Sequence, residues 1–181
     1  MKIISLFVST EDQLRSFFPG WKPALWPPVI KTAADPFTNE PRTYTEDTVE
    51  YGPDDVYEYS MDHSMFESLG LPEICDQVSP DSLTRLAREL GLQGDGYRRA
   101  LSEPPDSETV ALQVEPAVVD ALVELAESRF VAVGRAAASP AIWTGVDLSD
   151  LDAASLAKEI VALARKVKAE GSLRLYFVQA W

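Results

Sequence analysis

Apolar positions along this chain follow two different periods, and the pattern names its elements in turn. Residues 2–8 (Lys-Ile-Ile-Ser-Leu-Phe-Val) are apolar and partly β-branched, the composition of a buried strand. Ser9 or Thr10 then stands where a short helix needs a cap, with Glu11 and Asp12 favourable against its positive end. Leu14, Phe17 and Phe18 share one face of that helix, and Pro19-Gly20 ends it. Ser79-Pro80-Asp81 predicts a second helix start, followed by Leu83, Leu86, Ala87 and Leu90 at helical spacing and a stop at Gly91. Residues 91–107, with three glycines and Pro104-Pro105, read as a loop.

Residues 108–114 alternate, predicting a strand with Val110, Leu112 and Val114 inward. Pro116 opens what the spacing predicts as one long helix, with Val119, Leu122, Ala126, Phe130, Val133 and Ala137 on its apolar stripe and Ser139-Pro140 at its close. Ser149 or Asp152 caps a last helix whose inner face is Leu156, Ile160, Leu163 and Val167. Lys158, Arg165, Lys166 and Lys168 lie in its later turns, where they complement the negative end of the dipole. Gly171 ends it, and residues 173–181 read as a core strand. Two apolar strands at the chain ends, separated by helices, predict an α+β fold. Its mixed or antiparallel sheet would use both termini, pairing residues 2–8 with 173–180 and carrying about four helices. A length of 181 residues fits a single domain spanning 1–181.

The stretch between the first two helices is different. Residues 19–28 hold four prolines and two tryptophans, which excludes a regular helix and predicts an extended lid placing Trp21 and Trp26 over the core. Residues 29–60 read as a small irregular β region. Short strands are expected at 29–32, 42–46 and 48–51, with turns at 35–41 and at Gly52-Pro53-Asp54-Asp55.

Charge sharpens this picture. Residues 43–84 carry eleven carboxylates and no Lys or Arg: Glu46, Asp47, Glu50, Asp54, Asp55, Glu58, Asp62, Glu67, Glu73, Asp76 and Asp81. The formal charge of the whole chain is −13, so this window supplies nearly all of it, and the other 139 residues balance 18 acids against 16 bases. Tyr44, Tyr51, Tyr57 and Tyr59 lie in the same window. Such an imbalance attracts cations and basic surfaces and disfavours nucleic acid and anionic lipid. The leading apolar run is shorter than a signal peptide's core, and no stretch approaches a membrane span, so a cytoplasmic, soluble protein is expected. The Ala, Leu, Arg and Asp bias points to a bacterial source.

Catalytic signals are sparse. His63 is the only imidazole, in Tyr59-Ser60-Met61-Asp62-His63-Ser64, and no Gly-x-Ser-x-Gly elbow accompanies it; the plainer reading is a surface histidine. Cys75, the single cysteine, excludes an intramolecular disulfide and a Cys-based zinc site, and its acidic neighbours disfavour a thiolate. Gly91-Leu92-Gln93-Gly94-Asp95-Gly96-Tyr97-Arg98-Arg99 lacks the Gly-Lys-Ser/Thr of a phosphate loop and reads as a flexible connection. Asp54, Asp55, Glu58 and Asp62 lack calcium-loop spacing, so no metal and no cofactor is expected. Trp21, Trp26, Trp143 and Trp181 read as core residues rather than as a ligand pocket.

The expected function is therefore non-enzymatic: an acidic, tyrosine-rich face offered to a basic protein. In charge, size and lack of catalytic motif the chain is similar to small bacterial immunity-type proteins that neutralise toxins or nucleases. The expected interface is Tyr44, Glu46, Asp47, Glu50, Tyr51, Asp54, Asp55, Tyr57, Glu58, Tyr59 and Asp62. Two alternatives use the same residues. One is an enzyme with His63 and Asp62 or Asp55 as acid–base groups and a substrate pocket between the tryptophan lid and the sheet. The other is a DNA mimic whose carboxylates replace phosphates.

Overall fold

The computed structural model describes residues 3–58, 79–105, 107–138 and 148–180. Along the chain run β1 (Ile3–Ser9), α1 (Glu11–Phe17), β2 (Val29–Ala34), β3 (Pro41–Glu46), α2 (Pro80–Glu89), β4 (Tyr97–Arg99), β5 (Val110–Val114), α3 (Pro116–Val123), α4 (Phe130–Ala137), α5 (Asp150–Ala169) and β6 (Arg174–Ala180). This is an α+β fold. One antiparallel sheet has the order β1-β6-β5-β4, and β2 with β3 forms a separate two-stranded ribbon. The two apolar ends pair as expected, from Ile3 opposite Ala180 to Ser9 opposite Arg174.

The helix starts follow their caps. Thr10 accepts from the Gln13 amide and Gln13 reaches back to Thr10, closing a capping box on α1. Ser79 and Ser82 make the same reciprocal arrangement on α2, and Ser149 caps α5. Gly91, at φ 80°, follows α2.

Two expectations are corrected. The long helix after Pro116 is broken: α3 ends at Val123, Ala126 is extended, and a 3₁₀ turn at Glu127–Arg129 leads into α4. At the break Leu125 is buried and Ala126, expected on the stripe, is exposed. The glycine-rich stretch is no mere connection, because Tyr97–Arg99 form β4 against β5. Gly96 has φ 77°, and a Cβ there would meet that of Ala87 at 2.7 Å, so the turn into β4 lies directly against α2.

Opposed residues of paired strands share a face. The register therefore aligns Phe7, Tyr176, Gln113 and Arg98 in one row across all four strands. The Phe7 and Tyr176 rings are 6.1 Å apart, and Arg98 Nη2 donates to Gln113 Oε1 at 3.0 Å. Leu6, Leu112 and Phe177 form the alternate row, which belongs to the same buried cluster as α2 to α5. Within that layer α4 and α5 touch backbone to backbone, since a Cβ on Gly134 would fall 1.8 Å from the Ala153 carbonyl oxygen.

Gly134→Ala is expected to cost about 1–3 kcal/mol or more by forcing α4 and α5 apart. Chemical denaturation would measure the loss, and an unchanged midpoint would show that the helices do not approach so closely.

Candidate functional site

Between α1 and β2 and again after β3, the chain runs as two segments beside β4 and the residues that follow it. Residues 19–26 and 47–58 form an acidic strap. Three close approaches fix it. Gly20, at φ 78°, leaves no room for a side chain, because a Cβ would lie 2.0 Å from the Val56 carbonyl oxygen; nearby, Glu58 N–H donates to Pro19 O at 2.9 Å. Pro23 bridges to Leu101, flanked by Ser102 N–H donating to Lys22 O at 2.8 Å. Leu25 N–H donates to Asp47 O at 2.9 Å, tying the two segments together.

Tyr51, Lys22 and Ser102 form the centre of this strap. Lys22 N–H donates to Tyr51 Oη at 2.9 Å, and Tyr51 Oη donates to Ser102 O at 3.0 Å. Lys22 Nζ lies 4.9 Å from the centre of the Tyr51 ring. It also donates to Asp55 Oδ2 at 2.7 Å and to Glu50 O at 3.3 Å. Ser102 is fully buried; its Oγ accepts from Val49 N–H at 2.9 Å and donates to Val49 O at 3.2 Å. The Tyr57 ring meets Tyr51 edge-on at 5.4 Å, and its hydroxyl donates to Pro105 O at 3.1 Å. Residues 48–51, expected to be a strand, are irregular, because their backbone is satisfied by Ser102 rather than by a neighbouring strand.

The carboxylates of the expected interface divide into two groups. Glu46 pairs with Lys31, Asp47 with Arg99 at 3.2 Å and Asp55 with Lys22. All three bases come from outside residues 43–84, so the chain neutralises part of its own acidic window. Glu50, Asp54 and Glu58 are exposed and make no salt bridge among the described residues. Tyr59 and Asp62 lie outside the described residues, as do His63, Cys75, Trp143 and Trp181. Trp21 is buried as expected of the lid, whereas Trp26 is exposed and stacks on Arg98 at 4.8 Å.

The hydrogen bond from Lys22, then that from the Gly52 amide, holds the Asp55 carboxyl below its ordinary value. Asp35 is lowered likewise by the Phe37 and Thr38 amides, and Lys31 is raised chiefly by its bond to Glu46.

The ribbon carries a second set of residues. Val29 pairs with Glu46 and the ladder runs to Ala34 opposite Pro41, placing Tyr44 opposite Lys31. Asp35 accepts from the amides of Phe37 and Thr38, and Asn39 takes φ 60°, which shapes the turn. Every residue of β2 is exposed; Ile30 retains 73% of its surface and Phe37, at the tip, 95%. The alternation that marks a half-buried strand is missing from this stretch, so no local pattern singles out Ile30 or Phe37.

Among the described residues no group of three His, Cys, Asp or Glu could hold a metal ion, and no helix is long and apolar enough to cross a membrane. No protein-family model, curated protein or solved structure matches the chain.

Tyr51→Phe would leave Lys22 N–H and Ser102 O unpaired, at about 1–3 kcal/mol. Chemical denaturation reads the loss, and an unchanged midpoint would refute the network. Asp55 contributes stability that is complete above the ordinary Asp range, ~3.9, and that disappears as pH falls through its lowered folded value. Amide exchange of residues 49–58 should therefore quicken below about pH 4. In Asp55→Asn that acid-dependent increase should shrink.

Proposed function

We propose that this protein is a non-enzymatic binding protein that docks a basic protein through the β2–β3 ribbon and the acidic strap beside it. The observation that carries the reading is the ribbon itself. A two-stranded ribbon is marginal in water on its own, yet this one exposes Val29, Ile30, Phe37 and Tyr44. Exposed apolar side chains concentrated on a projecting element are the usual centre of a protein contact, and tyrosine adds area with a polar tip.

Charge selects the class of partner. Glu50, Asp54 and Glu58 remain available after the internal pairing, in a chain of net charge −13. Long-range attraction then favours a cationic surface and speeds its encounter, while the ribbon supplies the desolvated contact. A toxin-like or nuclease-like basic enzyme fits this chemistry, with the protein acting as its inhibitor in a bacterial cytoplasm. The internal salt bridges of Glu46, Asp47 and Asp55 favour this reading over a DNA mimic, which needs its carboxylates outward and unpaired.

The test is retention of a basic protein from extracts of the source cell on the immobilised chain. Retention should fall roughly tenfold between about 50 and 500 mM salt. It should also fall in Glu50→Gln/Asp54→Asn/Glu58→Gln and be lost in Ile30→Ser/Phe37→Ser, with thermal midpoints unchanged. Retention indifferent to both variants would dismiss the reading.

A further inference from the structure

Beneath Trp26 the strap and the outer face of the sheet enclose a cavity of about 160 Å³. Its floor is three of the four residues in the row across the strands: Tyr176, Gln113 and Arg98. Leu14, Pro23, Ala24, Leu101 and Trp26 supply its apolar wall, and Glu11 and Arg99 also line it. The larger cavity near α3 and α5, about 360 Å³, is a weaker candidate. There Lys168 is paired with Asp120, and Arg174 donates to the carbonyls of Gly171 and Leu173.

The polar groups on the floor of the smaller cavity belong to residues held in the sheet. Tyr176 is 98% buried as a residue and lines the cavity. Gln113 is 92% buried. Its Oε1 accepts from Arg98, a group that can only donate, which leaves the amide NH₂ as its donor. Arg98 itself has no carboxylate partner among the described residues; it is held by Gln113 and by the face of Trp26.

The neighbouring charges are already balanced. Arg99 is paired with Asp47 and Glu103, and Glu11 with Arg15. The cavity thus gathers one positive charge without a carboxylate partner among the described residues, Arg98, and two neutral donors, Gln113 and Tyr176, beside the paired Glu11 and Arg99. Burial raises the Tyr176 pKa, so the phenol keeps its proton and remains a donor.

We propose that this cavity binds a small organic monocarboxylate with a short apolar or aromatic body. The carboxylate takes the Arg98 guanidinium together with Gln113 NH₂ and Tyr176 O–H, and the apolar body lies against Leu14, Pro23 and the Trp26 ring. A guanidinium matches a carboxylate in both charge and geometry. The volume corresponds to roughly five waters at about 30 Å³ each, which limits the ligand to a compact acid. This site is separate from the ribbon and does not rest on the docking proposal.

Titration of the intact chain with benzoate and isovalerate, by calorimetry and saturation-transfer NMR, tests it, with benzylamine and inorganic phosphate as controls. At least one carboxylate should bind saturably and benzylamine should not. Tyr176→Phe, which conserves volume, should weaken binding about tenfold, the scale of one hydrogen bond. Arg98→Gln should weaken it by roughly a hundredfold, the scale of a charged pair. The ribbon variant Ile30→Ser/Phe37→Ser should bind as the parent does. The proposal is overturned if neither carboxylate binds, if phosphate binds and they do not, or if Tyr176→Phe keeps full affinity while folded.

Discussion

The ladder between β1 and β6 is the constraint on which the remaining structure depends. It joins residues separated by almost the whole chain, with Ile3 opposite Ala180. It also makes β6 an interior strand, flanked by β1 and β5. Closing so long a loop is entropically unfavourable and slows folding, so the pairing has to be rewarded by burial. Leu6, Phe7, Val8, Leu175, Tyr176, Phe177 and Val178 are all buried, and they supply that reward on both faces of the sheet. A strand covered on both faces reads as an apolar run rather than as an alternation, which is why both termini look alike in the sequence.

Electrostatics is organised at shorter range. An acidic window of this size implies strong self-repulsion if read as an isolated segment. The fold relieves part of it by bringing Lys22, Lys31 and Arg99 to Asp55, Glu46 and Asp47. These exposed pairs contribute little stability individually. Their greater effect is positional: Lys22 also serves Tyr51, so one base sets the path of both strap segments. The strap is thus fixed by a few multiply used groups, with Ser102 as the buried anchor.

Much of the main sheet and its helices was legible in the sequence because local signals agreed with the final packing. Thr10, Ser79 and Ser149 act as caps, and the apolar ends pair in register. Where the reading failed, a tertiary contact overruled a local pattern. The long helix breaks between Val123 and Phe130, where Leu125 is buried and Ala126 is exposed. The glycines before β4 marked a turn but concealed the short strand after it, whose three residues are too few to show a period. Internal pairing of the acidic residues was invisible for a different reason. Lys22 and Arg99 reach the window only through the fold, and composition counts charges without placing them. The same holds for Tyr176 and Gln113, which look like ordinary strand residues until the register aligns them beside Arg98.

The ribbon's charge pattern has a consequence for self-association. Among the described residues neither strand of the ribbon has a second neighbour, and an open strand margin is the kind of template on which identical chains stack into fibrils. Here Lys31, Arg42 and Glu46 interrupt the apolar positions, and Pro41 withholds one amide from its margin. These residues act as gatekeepers: a second ribbon laid alongside would have to accommodate buried charge and a missing donor, so the exposed arm can remain sticky at its tip without polymerising along its length.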